Sequence, residues 1–414
     1  MTQAQFDLEQ AWAGNVPSRW RWSRNKELLA ESLSVSPEGT EELLSVSHLT
    51  GITPRSEKNV TMTAAESLDG YRLVDAGDLV INTMWAWMGA LGVSKQAGIV
   101  SPAYGVYRPR PNAAFCPGFY DYLYRSTPYV MEMTRLSRGI WSSRLRIYPD
   151  VFLRMAIPVP PLEEQRAIAD YLDRETSRID TLIEEQQRLI EMLSERRVAT
   201  VAETLDGYER TQVRRLVDHD RPMTYGILQC GEPVDGGVVY IGPSDIQGEG
   251  QSPDRDALRT TAPEIASAYK RSVLKSGDVV VSIGPAYGKV AVVSDDLDGA
   301  NLTQDTVRVA LRPDLVDTRF FVWALLSRQT AEYWDYQVMG ATFRRLNLGT
   351  LARTPVPLPA IQEQRRIAVY LDEQTAKIDT LIAEAERFIE LSRERRSALI
   401  TAAVTGQIDV REAA

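Results

Sequence analysis

The chain has 414 residues, 25% charged and 44% hydrophobic, with a formal net charge of −9, which fits a soluble globular protein with room for two or three domains. Two cysteines, Cys116 and Cys230, and two histidines, His48 and His219, lie far apart in sequence and exclude a disulfide framework or a thiolate or histidine-rich metal site. No apolar run approaches membrane-spanning length, and the polar, acidic opening MTQAQFDLEQ shows no signal peptide, so a cytoplasmic location is expected.

The elements follow in chain order. The opening VPSRWRW reads as an entry strand anchored by Trp20 and Trp22, followed by a short helical stretch, NKELLAESL. Short strand-like runs between turn formers come next: LLSVSHLT, YRLVDAGDLVINTM and GIVSPAYGVYRP. A helix is expected from Phe119 to Met133. The segment RLSRGIWSSRLRIYPDVFLR then carries Arg135, Arg138, Arg144, Arg146 and Arg154 against one acid, Asp150.

From Glu164 to Arg197 runs EQRAIADYLDRETSRIDTLIEEQQRLIEMLSERR, and it returns from Glu363 to Arg396 as EQRRIAVYLDEQTAKIDTLIAEAERFIELSRERR. The offset is 199 residues, without a gap, and well over half of the positions are identical. Prolines precede each copy and none interrupts it, so each reads as one long helix. Ile168, Leu172, Ile179, Leu182, Leu189 and Leu193, with Ile367, Leu371, Ile378, Leu381 and Phe388 in the second copy, recur at the 3.5-residue period of a coiled-coil seam. A second stripe, Ile183 and Ile190 with Ile382 and Ile389, widens the apolar face. Thirty-four residues give a helix of about 51 Å, and a helix that long must bury its stripe on a partner, the natural one being the other copy.

The stretch between the copies repeats the first part at nearly the same offset. VLKSGDVVVSIGPAYGKVAVV echoes the Gly77-Asp78 strand with Gly277-Asp278, a helix is expected from Thr318 to Tyr333, and MGATFRRLNLGTLAR brings Arg344, Arg345 and Arg353. The frames match while the loops differ. The expected fold is therefore α+β: two similar α/β heads and two long antiparallel helices forming a coiled-coil spacer, with internal pseudo-two-fold symmetry. Antiparallel follows because the ends of a compact domain commonly lie close together. The boundaries are 1–156 for the first head, 157–206 for the first helix, 207–354 for the second head, and 355–414 for the second helix and tail.

Net negative charge counts against a nucleic-acid partner until its distribution is considered. Residues 1–155 hold 16 basic and 15 acidic residues, whereas 156–206 hold 6 and 12. The excess acid sits on the first helix, which leaves the heads near neutral and able to carry basic faces. Catalytic signatures are lacking. GPAYGKV is one residue short of a phosphate loop and has no hydroxyl residue after Lys289. No glycine-rich dinucleotide motif or Asn-Pro-Pro-aromatic motif occurs, and Asp295, Asp296 and Asp298 have the spacing of an acidic turn rather than a calcium loop.

PVPPLEEQRAIADYLD, PVPLPAIQEQRRIAVYLD and the ending ITAAVTGQIDV, with INTMWAWMGALGVS in the first head and DVVVSI, GKVAVV and ANLTQDT in the second, resemble the specificity subunits of type I restriction–modification systems over nearly the whole chain. The resemblance implies a non-catalytic subunit whose two target recognition domains each read one half of a bipartite double-stranded DNA sequence. It implies that the helices set the spacing and dock two methyltransferase subunits, which carry S-adenosylmethionine and methylate adenine N6. Restriction subunits using ATP and Mg would join them, and this chain would hold no cofactor.

Phosphate contacts need Lys or Arg, whereas base edges are read by side chains able to form paired hydrogen bonds. Arg138, Arg144, Arg146, Arg344 and Arg345 are the phosphate candidates. Lys289, Asn301 and Gln304 are the base-reading candidates, with Tyr104, Tyr287, Trp85 and Trp87 as stacking neighbours, the two tryptophans being expected in the core. The exposed helix faces, including Glu164, Arg166, Arg196, Arg197, Glu363, Arg365, Arg395 and Arg396, are expected to meet the partner subunits. A stand-alone two-headed DNA-binding regulator and a protein adaptor are the other classes; Arg-rich segments count against the adaptor.

Overall fold

The computed structural model describes residues 10–57, 67–139, 145–339 and 344–410. The chain divides into two compact units, Met1–Gln186 with Arg387–Ala414, and Gln187–Glu386. Each unit contains one head and part of both long helices, Leu162–Thr204 and Ile361–Val404. Among the described residues no helix is long and apolar enough to cross a membrane.

In the first unit the central sheet runs in the order Leu29–Glu31, Gly105–Pro109, Leu79–Ile81, Leu91–Val93, antiparallel throughout. In the second unit Thr224–Tyr225, Thr306–Val309, Val279–Ser282 and Val290–Val292 repeat that order and sense. The turn into the third strand is also the same. Gly77 and Gly277 have φ of 95° and 84°, a region that favours glycine. The next residue, Asp78 or Asp278, accepts from the amide three residues back at 2.9 and 2.8 Å. An arginine closes each turn, but from a different place: Arg108, on the strand Gly105–Pro109, grips Asp78, whereas Arg221, in the loop before Thr224–Tyr225, grips Asp278.

One helix was expected in each head after the sheet, and two are found. Pro117–Arg125 and Thr127–Leu136 are separated by Ser126, and Thr318–Leu326 and Arg328–Val338 by Ser327. Both serines are extended, with ψ of 144° and 149°. Their hydroxyls donate to Leu123 O and Ala324 O, and this local bonding competes with helix continuation. Pro128 adds a backbone block in the first head alone.

The long helices are clasped onto their heads by one glutamine each. Gln165 is fully buried; it accepts from Cys116 N at 2.8 Å and donates to Ala114 O and Pro160 O. Gln364 accepts from Asp317 N at 2.9 Å and donates to Leu315 O and Pro359 O. This explains the Glu-Gln pair at each helix start, since a side-chain amide can answer one donor and two acceptors of the incoming loop.

Within each unit the helices run antiparallel. In the first, Ile168 and Leu172 share a core with Ala403 and Val404, and further along Asp180 meets Arg396 at 2.9 Å. In the second, Val201 and Leu205 share a core with Ile367 and Leu371, and Arg197 meets Asp379 at 2.8 Å. Asp180 and Asp379, like Arg197 and Arg396, are 199 residues apart, so this is one ion pair formed twice.

The seam differs from the expected one. The least exposed line passes through Ile179, Ile183, Gln186, Ile190 and Leu193, and through Ile378, Ile382, Ala385 and Ile389. Leu182, Leu189 and Met192 are exposed, as are their repeat mates Leu381, Phe388 and Leu391. Both stripes obey a 3.5-residue period, so periodicity alone does not choose between them; the β-branched side chains occupy the interior.

The second long helix ends where Gly406 takes φ of 72°. A Cβ there would lie 2.4 Å from Pro17, so glycine is required on both grounds. The turn returns Ile408 and Val410 to the first core, which explains the ending VTGQIDV.

Replacing Gln165 or Gln364 by Ala strands one amide and two carbonyls. Urea unfolding is expected to show a loss of about 2–3 kcal/mol, against about 0.5 kcal/mol or less for Arg166→Ala on the exposed face.

Candidate nucleic-acid interface

In the first head the loop after Leu79–Ile81 is built on Asn82, which is buried. Its amide donates to Tyr104 Oη at 3.1 Å and its carbonyl oxygen accepts from Met84 N. Tyr104 is therefore a half-buried support for the loop. Burial raises its pKa above the ordinary phenol value. Trp85 and Trp87 stack at 6.2 Å with 16° between ring planes. Trp87 donates Nε1–H to Met84 O, while Trp85 is 50% exposed. The expectation of a core position fails for Trp85, because the short Ala86–Met88 turn buries Ala86 and projects the neighbouring ring outward.

Arg138 and Arg146 exchange backbone hydrogen bonds of 2.9 and 3.0 Å, and both side chains are exposed. With Met84, Trp85 and Tyr148 they line a cavity of about 590 Å³. Two guanidiniums thus meet an exposed indole and a phenol that is 47% exposed. Tyr148 was not among the candidates; its place in the basic run RLRIYP was the available signal. Arg144 lies outside the described residues.

The second head assembles the corresponding region from the loops at 283–289 and 303–306 and from Arg344 and Arg345. Leu346 N donates to Ile283 O at 3.0 Å, tying the basic segment to the first loop. Arg345 pairs with Asp305 at 2.7 Å and donates to Gln304 O; Arg344 is exposed. Tyr287 donates to Asp335 at 2.6 Å, and this bond to a carboxylate raises its pKa. Gln304 is half-buried, and its backbone carbonyl is the one that Arg345 meets. Lys289 is turned inward, donating to Pro243 O at 3.3 Å.

Asn301 requires correction as a base reader. It is fully buried, its side chain accepting from Ser272 Oγ and from Leu302 N, and its strand pairs in parallel with Val238–Ile241. It is a core polar residue that fixes a strand.

On the long helices, Glu164 is also corrected: it is buried and accepts from Arg19 at 2.6 and 3.2 Å. Arg197 and Arg396 are occupied by the interhelical ion pairs. Glu363 is half-buried beside Tyr208, and Arg166, Arg196, Arg365 and Arg395 are exposed.

Residues 233–388 match the family described as the Type I restriction modification DNA specificity domain. These residues are similar to that domain. The match spans most of the second head and more than half of the second long helix. The chain is 25% identical over 280 residues to the Type I restriction enzyme EcoBI specificity subunit of Escherichia coli, covering 61% of this chain and 58% of that protein. It is 24% identical over 279 residues to the MjaVIII specificity subunit of Methanocaldococcus jannaschii, covering 63% and 64%. The chain thus matches less than two thirds of either relative's length. In fold it resembles a chain from a study of complex assembly and conformational transition of the type I R-M system, with a TM-score of 0.73, 16% identity, and 95% and 100% of the two chains covered. It also resembles the HsdS subunit from Thermoanaerobacter tengcongensis, with a TM-score of 0.59, 16% identity, and 95% and 98% covered.

For the specificity domain, Asn301→Ala removes two buried bonds. Thermal unfolding is expected to register a loss of about 1–2 kcal/mol; unchanged stability would return Asn301 to the list of surface readers.

Proposed function

We propose that this chain is the DNA sequence-specificity subunit of a type I restriction–modification complex, itself without catalysis. Each head reads one half of a bipartite duplex target. One observation carries this reading: two heads with the same sheet order and the same glutamine clasp hold different loops beside exposed arginines, and the second coincides with the specificity domain. A shared frame gives both heads one mode of docking. Different loops give them different sequences to read.

Arg138 and Arg146, and Arg344 with Arg345, serve as phosphate contacts. Trp85, Tyr148 and Gln304 lie at the positions from which base edges or thymine methyls are met. Two methyltransferase subunits, carrying S-adenosylmethionine for adenine N6 methylation, dock on the long helices. The duplicated exposed stripe, Leu182, Leu189 and Met192 with Leu381, Phe388 and Leu391, supports two equivalent sites; a long apolar row left on a helix marks a partner surface. Restriction subunits using ATP and Mg complete the complex.

The decisive experiment maps methylated adenines across a host genome with and without this gene. Replacing residues 207–354 by the head of a relative is expected to change one half of the methylated sequence and leave the other. Unaltered methylation, or a change in both halves, would overturn the proposal.

In the assembled complex, Arg344→Ala with Arg345→Ala is expected to weaken DNA binding at every sequence. The slope of log K against log salt should fall by about 1–2, since each phosphate contact contributes about 0.9. An unchanged slope would remove both residues from the phosphate contacts.

A further inference from the structure

In the first unit two adjoining cavities of about 570 and 520 Å³ share Asp121, Tyr122, Arg125 and Arg396. The second unit shows what occupies the equivalent place there. The glutamine clasps align Cys116 with Asp317, hence Gly118 with Arg319 and Tyr122 with Trp323. The alignment holds in detail: Tyr122 Oη donates to Asp173 at 2.7 Å and Trp323 Nε1 donates to Asp372 at 2.8 Å, and those aspartates are repeat mates.

In the second unit Arg319 bridges Asp372 and the carbonyl of Glu249, each at 2.7 Å. Gly250 adds to the edge strand Val290–Val292 through Gly250 N to Val290 O and Val292 N to Gly250 O. The carboxylate of Glu249 lands on Arg197, which also holds Asp379. Glu249 adopts φ of 50°, a costly conformation for a residue with a side chain. The ion pair offsets that cost.

The first unit has Gly118 where the second has Arg319. Among the described residues Arg396, the mate of Arg197, pairs with Asp180 alone. Arg125 Nε is buried and has no hydrogen-bond partner among the described residues. Among the described residues the walls carry Lys95, Arg125, Arg393 and Arg396 against Asp121, Asp173 and Asp180. That surplus of one cation matches one incoming carboxylate. The edge amide of Val93, mate of Val292, is already answered by Asp121 at 2.8 Å, so what is missing is the side chain and not an added strand.

We propose that this groove is a docking site for an acidic side chain carried on an extended segment of a partner protein, received by Arg125 and Arg396 as Glu249 is received by Arg197. This docking is separate from DNA reading, because none of these groups belongs to the loops and basic segments assigned to the duplex.

The test uses the full chain with isotope-labelled methyl groups and a capped heptapeptide copying residues 246–252, IQGEGQS. Saturable shifts are expected at Val93, Ile183 and Ile400, with none at Val290. Exchanging the peptide's Glu for Gln should weaken binding about fivefold or more, as should Arg125→Ala, each removing one charge-assisted bond. Lys95→Glu, which disturbs no contact described in the fold, provides a second variant with the same expected weakening. Absence of shifts up to about 10 mM, a range that covers a Kd near 1 mM, overturns the proposal. Equal binding of the Gln peptide does so as well. A response to inorganic phosphate or to a short DNA duplex, but not to the peptide, would make the groove a phosphate site and overturn it too.

Discussion

The ion pair between Asp180 and Arg396, and its repeat between Asp379 and Arg197, expresses the constraint on which the rest depends. The two helices carry the same Asp and Arg at matching positions of the repeat. A parallel pairing would set Asp180 beside Asp379 and Arg197 beside Arg396, like charge against like. The antiparallel pairing sets each acid against a base. Each pair is partly exposed and contributes modestly to stability; its larger effect is on register, because a one-heptad slip would forfeit both pairs together.

The glutamine clasp carries that order into the heads. Gln165 and Gln364 stand one turn into their helices and fix the loop that starts the helix beneath each sheet. With such a frame, the loops can differ between the two heads without disturbing the helices.

Much of this was legible beforehand. The 199-residue repeat, the two long helices, the Gly-Asp turns and the place of Arg138 and Arg146 in one basic segment follow from residues alone. The seam did not, because Leu182 and Ile183 belong to stripes of equal period, and only packing distinguishes them. The helix breaks at Ser126 and Ser327 depend on a hydroxyl turning back to a carbonyl, which the Pro128 signal announces in one head and nothing announces in the other. Asn301 was misplaced because a polar residue after a glycine turn reads as loop, whereas a parallel strand pair with Val238–Ile241 takes it inside. Trp85 erred in the other direction: its size suggested core, yet Ala86 beside it fills the space available. Comparison with known proteins agrees with the resemblance read from the residues and is silent on these contacts.

The first core includes Ala403, Val404 and Val410, near the end of the chain as given, whereas the second unit is continuous from Gln187 to Glu386. During synthesis the two therefore mature in reverse order. About 200 residues separate Gln186 from Arg387, and ribosomes add roughly 5–20 residues per second, so the first unit waits roughly 10–40 s for its closing turn. Its apolar surface around Trp20 and Phe119 stays open meanwhile. The first head is the last to close, and a chain stopped before Ala403 has a finished second unit and an unfinished first.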